Sequence, residues 1–167
     1  MQETKQAIDI TLKAGNGLFI YGVRAIILND DCVLMVKNEK HPYYYSVGGR
    51  AQFGETSERA VLREAYEETG LDFEIDRLAF IHENFFAASF LDHEPCHEIS
   101  LFYLMKPYKN MQHMICNSVG ADGGKESLVW LPISRLSDYQ VFPAFFKTEL
   151  PCLTHEVKRV VTQDLSH

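Results

Sequence analysis

Runs of apolar and β-branched residues divide the chain into strands around one central helix. Leu18–Leu28 is rich in β-branched and aromatic residues, Asn29–Asp31 is polar and predicts a turn, and Cys32–Lys37 returns as the second strand of a hairpin. Thr56–Thr69 has the clearest helical pattern, with apolar side chains three and four positions apart. The other predicted elements are the strands Tyr43–Val47, Phe73–Asn84, His97–Lys106 and Ser127–Leu131, the short helical segments Ser134–Tyr139 and Ala144–Leu150, and the helix Thr154–Asp164.

This order of elements indicates one domain, residues 1–167, of the α/β (α+β) class, with helices packed on a mixed β-sheet. Pro107–Lys125 is expected to be irregular, because three glycines mark loops there. Residues 1–17 are expected to form an N-terminal extension or an edge strand. An exchange of that segment with a second subunit, giving a homodimer, stays open. Residues 151–167 are expected to form a C-terminal helix or tail.

Composition and charge exclude several classes of protein. Aromatic residues make up 12% of the 167 residues, enough to seed a core, so disorder is not expected. No stretch approaches the ~20 apolar residues of a membrane span. The net charge of −7 argues against binding to long DNA or RNA, which needs a basic surface. It does not argue against small phosphorylated ligands, because a bound cation can reverse the local charge.

The four cysteines, Cys32, Cys96, Cys116 and Cys152, form no C-x-x-C pair. The sequence therefore predicts neither a zinc site nor a redox dithiol, and packing is the expected role of these side chains. The first residues also lack the basic and then apolar pattern of a secretory signal. Reduced thiols in the cytoplasm are the expectation.

Three glutamates share one face of the central helix. Thr56 or Ser57 can cap its first turn, and Gly70 stands where a left-handed residue ends a helix. Glu64, Glu67 and Glu68 occupy positions i, i+3 and i+4. At ~100° per residue these positions project to the same side, where three carboxylates repel one another.

A divalent cation would relieve that repulsion. Mg²⁺ prefers oxygen ligands and keeps several waters, one of which can become a nucleophile; Mn²⁺ is an alternative. The Gly48-Gly49 pair before the helix lets the backbone come close to a metal or a phosphate. Together these features are suited to metal-assisted attack of water on a phosphoanhydride. A solvated acidic helix face is the alternative interpretation of the glutamates alone.

The spacing around the glutamates decides between the two interpretations. The pattern G-x5-E-x7-R-E-(apolar)-x-E-E-x-G-(apolar) is matched by Gly49, Glu55, Arg63, Glu64, Ala65, Glu67, Glu68, Gly70 and Leu71. With background frequencies of roughly 5–7% for each polar or glycine position, the probability of a chance match is ~10⁻⁷. Residues 49–71 resemble the Nudix box, and the chain is similar to the Nudix (MutT-like) hydrolases over about residues 10–150.

The resemblance implies a Nudix-type α/β/α sandwich around a mixed sheet and Mg²⁺-dependent hydrolysis of a nucleoside diphosphate linked to another group. It also implies that Glu64 and Glu68 are the principal metal ligands and that Glu67 is a third. A backbone carbonyl of Gly48 or Gly49 would complete the metal site. These glutamates are also the implied catalytic residues.

Two further residues of the box have implied roles. Arg63 would orient a carboxylate, and Glu55 would buttress the loop or support the ligands from behind. The chain departs from the family pattern at Ser46 and Val47, where a Leu-Pro pair is common, and at Ala65, where a larger apolar residue is usual. Neither departure changes a catalytic acid.

An acid outside the box often binds metal or activates water in similar enzymes. Glu98, near the start of a predicted strand, is one candidate for this catalytic role, and Glu126, just before LVWLP, is its rival. Exposed surface acids are the alternative interpretation. His97 can donate to a phosphate or serve as an ordinary surface residue.

Residues predicted to bind the substrate flank the box. Arg24 is a charge within an apolar strand, so it must reach solvent, a carboxylate or a ligand phosphate. Tyr45 and Phe85 can stack on a nucleobase, although alternation along a strand places part of the aromatic set in the core.

The chain lacks sequence signatures of two substrate types, which reduces the set of candidate substrates. Phe86 and Ala87 stand where ADP-ribose-type enzymes carry a proline, and Ala88 and Ser89 stand where dinucleoside-polyphosphate enzymes favour a tyrosine. A nucleoside triphosphate, or a modified one, is therefore the first expectation. Hydrolysis of an ADP-sugar or an RNA end is an alternative, and so is a catalytically silent Nudix-fold module that senses nucleotides.

Overall fold

A computed structural model describes residues 8–88, 94–108, 119–120 and 123–164. Its strands are β1 (Thr11–Ala14), β2 (Gly17–Ile26), β3 (Leu28–Asn29), β4 (Cys32–Asn38), β5 (Tyr44–Arg50), β6 (Ile75–Ala88), β7 (Glu94–Met105), β8 (Glu126–Pro132), β9 (Val141–Phe142) and β10 (Lys158–Asp164). Its helices are α1 (Ser57–Thr69) and α2 (Phe146–Glu149), with 3-10 turns at Ile133–Asp138 and Leu150–Cys152. No helix among these is long and apolar enough to cross a membrane.

The strands form one mixed sheet in the order β10-β6-β7-β2-β5-β4-β3, with β1 paired to β2, β8 to β4 and β9 to β5. The pairs β2–β7, β6–β10 and β5–β9 are parallel, and the others are antiparallel. β2 therefore lies between β5 and β7, and residues of all three strands meet there. The prediction of a mixed sheet in one domain is confirmed.

The sheet separates two apolar clusters, because successive strand residues point to opposite faces. Val23 and Ala25 of β2 pack with Val61 and Ala65 of α1. On the other face, Ile26 belongs to a cluster that includes Leu136 of the first 3-10 turn and Phe146 of α2, both fully buried. Helical segments thus cover both faces, as in the expected α/β/α sandwich.

The C-terminal segment corrects one prediction. The helix predicted over Thr154–Asp164 is wrong, since Lys158–Asp164 is strand β10, parallel to β6. Its exposure alternates from residue to residue, and it contains the β-branched pair Val160-Val161, so a period of two residues prevails over the weak helical pattern. Pairing with β6, a long strand that is distant in sequence, stabilises the strand conformation of β10. The local pattern does not show this pairing.

The other predicted elements agree to within a few residues. β5 continues beyond the predicted Tyr43–Val47 strand, so that the glycine pair lies inside a strand. Most of Pro107–Lys125, together with Ser89 and Cys116, lies outside the described residues. Within the described part of the chain, Cys32, Cys96 and Cys152 form no disulfide bond.

Candidate active site

The site begins with the glycine pair at the end of β5, beside β2. Gly48 has φ +137°, a conformation that side chains rarely adopt. A Cβ there would lie 2.8 Å from the Cα of Arg24 and would also collide with the backbone carbonyl of Val23. The two strands therefore approach at a distance that only glycine allows.

Helix α1 brings the acidic residues to this backbone. Its first turn is capped by Thr56, whose hydroxyl accepts the N–H of Arg59 at 3.3 Å. Gly70, at φ +73°, ends the helix and donates to the carbonyl of Tyr66 at 2.7 Å. The buried face, with Ala60, Val61 and Ala65, docks on the sheet. Both predicted caps form, and docking fixes the direction of the acidic face.

Glu68 is the most buried acid of this face, with 9% of its surface exposed. Its Oε2 accepts the backbone N–H of Gly48 at 2.8 Å. Burial raises the pKa of Glu68 to about 8; the hydrogen bond from Gly48 opposes this shift, and the charges of Glu126 and Glu64 add to it. The charge of Arg24 also acts against the shift, but burial and the two neighbouring carboxylates outweigh it.

Glu64 lies against the second glycine. A Cβ on Gly49 would be 2.6 Å from Oε1 of Glu64 and in contact with the rest of the carboxylate. Burial raises the pKa of Glu64, although Arg63 acts in the opposite direction. The absence of a side chain at position 49 is therefore what admits this carboxylate to the strand backbone.

Arg63 ties the acidic helix to the preceding loop. Its guanidinium donates to Glu55 at 2.7 and 3.3 Å, to Glu64 at 2.8 Å and to Glu67 at 3.4 Å. It also donates to the carbonyl of Arg50 at 3.0 Å. The planar fork of an arginine suits several oxygens at once, so Arg63 orients the carboxylates.

Glu55 anchors the other end of this network. Its Oε1 accepts the N–H of Gln52 at 2.7 Å as well as the Arg63 bond. Burial alone would raise the pKa of Glu55, but the hydrogen bonds from Arg63 and Gln52 outweigh it and lower the pKa. Glu55 thus remains an ionised acceptor that holds the loop in place.

A cleft of about 440 Å³ opens over these groups. Its lining residues are Asp9, Tyr45, Gly48, Gly49, Arg50, Glu64, Glu67, Glu68, Val119, Gly120 and Glu126. The hydroxyl of Tyr45 donates a hydrogen bond to the Glu126 carboxylate. Burial is the main cause that raises the pKa of Tyr45, and this hydrogen bond raises it further. The cleft brings together the box glutamates, the glycine pair, Tyr45 and Glu126.

Glu98 has a different position from its rival Glu126. It is paired with Arg24, whose Nη2 donates to Oε1 of Glu98 at 2.9 Å, and it also accepts the hydroxyl of Ser100. The Nη1 of Arg24 donates to the Gly49 carbonyl at 2.5 Å. Glu98 therefore meets the glycine pair through Arg24, whereas Glu126 lines the acidic cleft directly.

Phe85 and His97 lie outside the acidic cleft. Their rings stack with centroids 4.2 Å apart, and the edge of Phe19 meets His97 at 5.5 Å. They line a separate recess of about 290 Å³ near the start of β2 and β7. His97 is also within 3.1 Å of Glu83. The structure therefore does not bring these two predicted substrate-binding residues to the glutamates of helix α1.

Three residues near the site were not singled out from the sequence. Asp9 lines the cleft, and Ser100 helps to hold Glu98. A Cβ on Gly22 would lie 2.6 Å from Oε1 of Glu98, so this glycine makes room for the Arg24–Glu98 pair. A glycine inside an apolar strand, two residues before a charge, was the available signal for Gly22.

The acidic groups already have partners within the protein. Arg63 binds Glu64 and Glu67, and the Gly48 N–H binds Glu68. As these side chains stand, no group of three or more His, Cys, Asp or Glu in the described ranges is arranged to hold a metal ion. The donor chemistry is nevertheless of the hard-oxygen kind, and burial with too little positive charge is what a cation would relieve.

A comparison with protein-family models matches residues 18–148 to the NUDIX domain. The chain belongs to the NUDIX family, and the predicted class, a Nudix hydrolase acting on a pyrophosphate bond, is confirmed. No curated protein matches the chain. The match contains the whole box, from Gly49 to Leu71, and the strands on both sides of it.

Solved structures of similar fold include a MutT NUDIX hydrolase from Burkholderia pseudomallei, with 24% identity, TM-score 0.55 and coverage of 82% of this chain and 91% of that one. A MutT protein from Bacillus halodurans has 18% identity, TM-score 0.58 and coverage of 86% and 88%. An ADP-ribose pyrophosphatase from Streptococcus suis has 16% identity, TM-score 0.53 and coverage of 84% and 98%. At these identities the likeness establishes the fold.

Proposed function

We propose that this protein hydrolyses a phosphoanhydride bond in a nucleoside diphosphate derivative, with Mg²⁺ or Mn²⁺ as cofactor. The observation that carries the proposal is the convergence of the Glu64 and Glu68 carboxylates on the Gly48-Gly49 backbone in an acidic cleft. Oxygen donors of this kind suit a hard divalent cation, and a metal-bridged nucleotide suits a chain of net charge −7.

The residues that would hold the cation are Glu64, Glu67, Glu68 and a carbonyl of the glycine pair. The chemistry that a divalent cation would supply at these residues is neutralisation of phosphate charge and a lower pKa for a water that attacks phosphorus. Arg63 orients Glu64 and Glu67, because its Nη1 donates to both carboxylates. Glu55 holds Arg63 from the loop, so that this pair positions the ligands without meeting the substrate.

Glu126 is the better supported of the two acids outside the box. It lies in the cleft with the box glutamates, its charge acts on Glu68, and Tyr45 fixes its carboxylate. It is positioned to accept a proton from an attacking water or to assist the ligands. Glu98 is paired with Arg24 and reaches the site only through that residue.

A nucleoside triphosphate, or a modified one, is the proposed substrate. The chain lacks the proline and tyrosine signatures of two other substrate types, and its net charge of −7 argues against binding to a long nucleic acid. Because a structural neighbour is described as an ADP-ribose pyrophosphatase, ADP-ribose is the principal competing substrate. The presence of all the box glutamates favours turnover over a silent sensing module. The cytoplasmic location stays a prediction.

The test measures release of phosphate and pyrophosphate from a panel of compounds with Mg²⁺, Mn²⁺ or EDTA. The panel contains ordinary and oxidised nucleoside triphosphates, ADP-ribose, a UDP-sugar and a capped oligonucleotide. The variants are Glu64→Gln and Glu68→Gln, with Glu58→Gln, on the exposed side of the first helical turn, as the matched control.

We expect cleavage of a triphosphate, no cleavage in EDTA, and a loss on the order of 10²-fold or more in the first two variants only. If the wild type cleaves no compound of the panel, the proposed substrate class is wrong. If both Gln variants retain the full rate, the assignment of the metal ligands is wrong. Glu126→Gln and Glu98→Gln, assayed side by side, show which outer acid takes part in the chemistry.

A further inference from the structure

The positively charged guanidinium of Arg24 contacts a backbone carbonyl of the glycine pair. It lies opposite Gly48 in the antiparallel β2–β5 pair and next to Phe102 in the parallel β2–β7 pair. Its Nη1 donates to the carbonyls of Gly49, at 2.5 Å, and Val23, at 3.0 Å. The guanidinium is therefore held at a carbonyl of the glycine pair, the same pair whose Gly48 N–H binds Glu68 and whose Gly49 leaves room for Glu64.

A dedicated anchor holds Arg24 in this position. Glu98, with only 12% of its side chain exposed, accepts from Nη2 at 2.9 Å, and the Ser100 hydroxyl donates to the same oxygen of Glu98. Gly22 leaves the space that this carboxylate occupies. Three residues on two strands thus fix one guanidinium, which is more than a surface ion pair requires.

The charge of Arg24 acts on the proposed metal ligands. Burial raises the pKa of both Glu64 and Glu68, and Arg24 is among the groups that act in the opposite direction on each. A guanidinium within range of two buried carboxylates partly neutralises them, as a divalent cation would. A second cation brought to the same carbonyl would be repelled by the first.

We propose that Arg24, anchored by Glu98 and Ser100, is an internal counter-ion that competes with the divalent cation for the Gly49 carbonyl and leaves it when the cation binds. The inference rests on the proposed function, because it requires a metal site at Glu64 and Glu68. It makes Arg24 a positioning residue that sets the affinity for metal. The alternative is a purely geometric role, in which Arg24 only holds the glycine pair in shape.

The two roles predict opposite changes in metal affinity when the charge of Arg24 is removed. The affinity for Mn²⁺ is measured by electron paramagnetic resonance in the absence of nucleotide. For a competitor, Arg24→Gln binds Mn²⁺ about fivefold or more tightly than the wild type. Arg24→Lys keeps the charge and stays within about twofold of the wild type. Glu98→Gln leaves the guanidinium charge without its carboxylate and weakens Mn²⁺ binding about fivefold.

Matched controls come from another ion pair of the same sheet. Arg159 donates to Glu83 at 2.6 Å on strands β10 and β6, and β6 and β7 separate β10 from β2. Arg159→Gln and Glu83→Gln should leave Mn²⁺ affinity within about twofold of the wild type. Circular dichroism and thermal unfolding in EDTA establish that each variant is folded.

Unchanged or weaker Mn²⁺ binding by Arg24→Gln overturns the proposal, and so does tighter binding by Glu98→Gln. If Arg24→Gln does not fold, Arg24→Lys and Glu98→Gln decide the question on their own. If the wild type binds Mn²⁺ no better than the Glu64→Gln/Glu68→Gln double variant, the metal site of the proposed function is wrong as well. Binding by the wild type with no gain in Arg24→Gln overturns the role of Arg24 alone.

Discussion

The backbone N–H of Gly48 donates to Oε2 of Glu68 at 2.8 Å and joins strand β5 to the last turns of helix α1. The next glycine along the strand, Gly49, leaves room for the carboxylate of Glu64. The strand backbone and the acidic helix face therefore form one unit. A change in either is expected to affect the other.

Gly48→Ala should destabilise the fold more than the same change at another glycine with positive φ. The new Cβ would collide with backbone atoms of Val23 and Arg24, which cannot rotate away. Gly54, at φ +92°, has nothing within 4 Å of the corresponding Cβ position and serves as the control. We expect Gly48→Ala to cost about 2 kcal/mol more than Gly54→Ala, measured by urea unfolding. Equal costs would contradict the close approach of β2 and β5.

Gly49→Ala should separate function from stability. Its Cβ would meet the end of the Glu64 side chain rather than backbone, so the carboxylate can turn away at little cost to the fold. We expect a loss of Mn²⁺ affinity and of hydrolysis on the order of tenfold or more, with unfolding close to that of the wild type. Retention of full metal affinity would show that Glu64 has no need of this position.

Metal-free protein should lose stability as pH rises through the range set by Glu68. Burial raises the folded-state pKa of Glu68 from 4.5 to about 8, so between these values the folded state binds the proton more tightly than the unfolded state. This stabilisation is complete below about pH 4.5 and is lost as pH rises to about 8.

Glu68→Gln has no proton to lose at this position. Its free energy of unfolding in EDTA should therefore increase relative to the wild type by up to about 1.4 kcal/mol for each pH unit between 5 and 8. Urea titrations at several pH values provide the measurement, with the exposed Glu58→Gln as control. A difference between wild type and Glu68→Gln that does not change with pH would mean that Glu68 is ionised without penalty.

Arg63→Lys should behave as a severe substitution although it keeps the charge. The guanidinium of Arg63 donates to Glu55, Glu64 and the carbonyl of Arg50, whereas lysine has a single side-chain nitrogen for these contacts. We expect a loss of about 1–2 kcal/mol in unfolding free energy and of about tenfold or more in kcat. Arg59→Lys, on the same helix, should change neither quantity. Wild-type kcat in Arg63→Lys would reduce the role of Arg63 to its charge.

Helix α1 and its caps could be predicted from the sequence because the signal there is local. The caps at Thr56 and Gly70 and the spacing of Glu64 and Glu68 depend on residues within a few turns of one another. β10 was missed because its partner, β6, is distant in sequence, and pairing with that strand outweighed a weak helical pattern. Local patterns thus gave the elements, and long-range pairing decided the ambiguous one.

The positions of side chains outside the box depend on the order of strands in the sheet. Glu98 and Glu126 are rival candidates in the sequence, since each lies near the start of a strand. The parallel β2–β7 pairing places Glu98 beside Arg24, whereas the β4–β8 pairing places Glu126 near Tyr45 in the cleft. A mixed sheet permits many orders, and the sequence alone does not choose among them.

His82 should make the protein sensitive to acid at a point outside helix α1. It is buried on β6, where its Nε2 is 2.8 Å from the hydroxyl of Thr162 on β10 and its ring meets the edge of Phe145 at 5.0 Å. Burial lowers the folded-state pKa of His82 from 6.5 to about 4. The unfolded state then binds the proton more tightly, so stability is complete above about pH 6.5 and is lost as pH falls towards 4.

This loss amounts to about 3 kcal/mol at most. His82→Gln should be less stable than the wild type at pH 7, because it loses the aromatic contact, but its stability should fall less between pH 6.5 and 4. His155→Gln, at an exposed position, should follow the wild-type profile. Urea unfolding at half-unit pH steps measures the three profiles. Parallel profiles for wild type and His82→Gln would show that the β6–β10 pairing accommodates the charged imidazole.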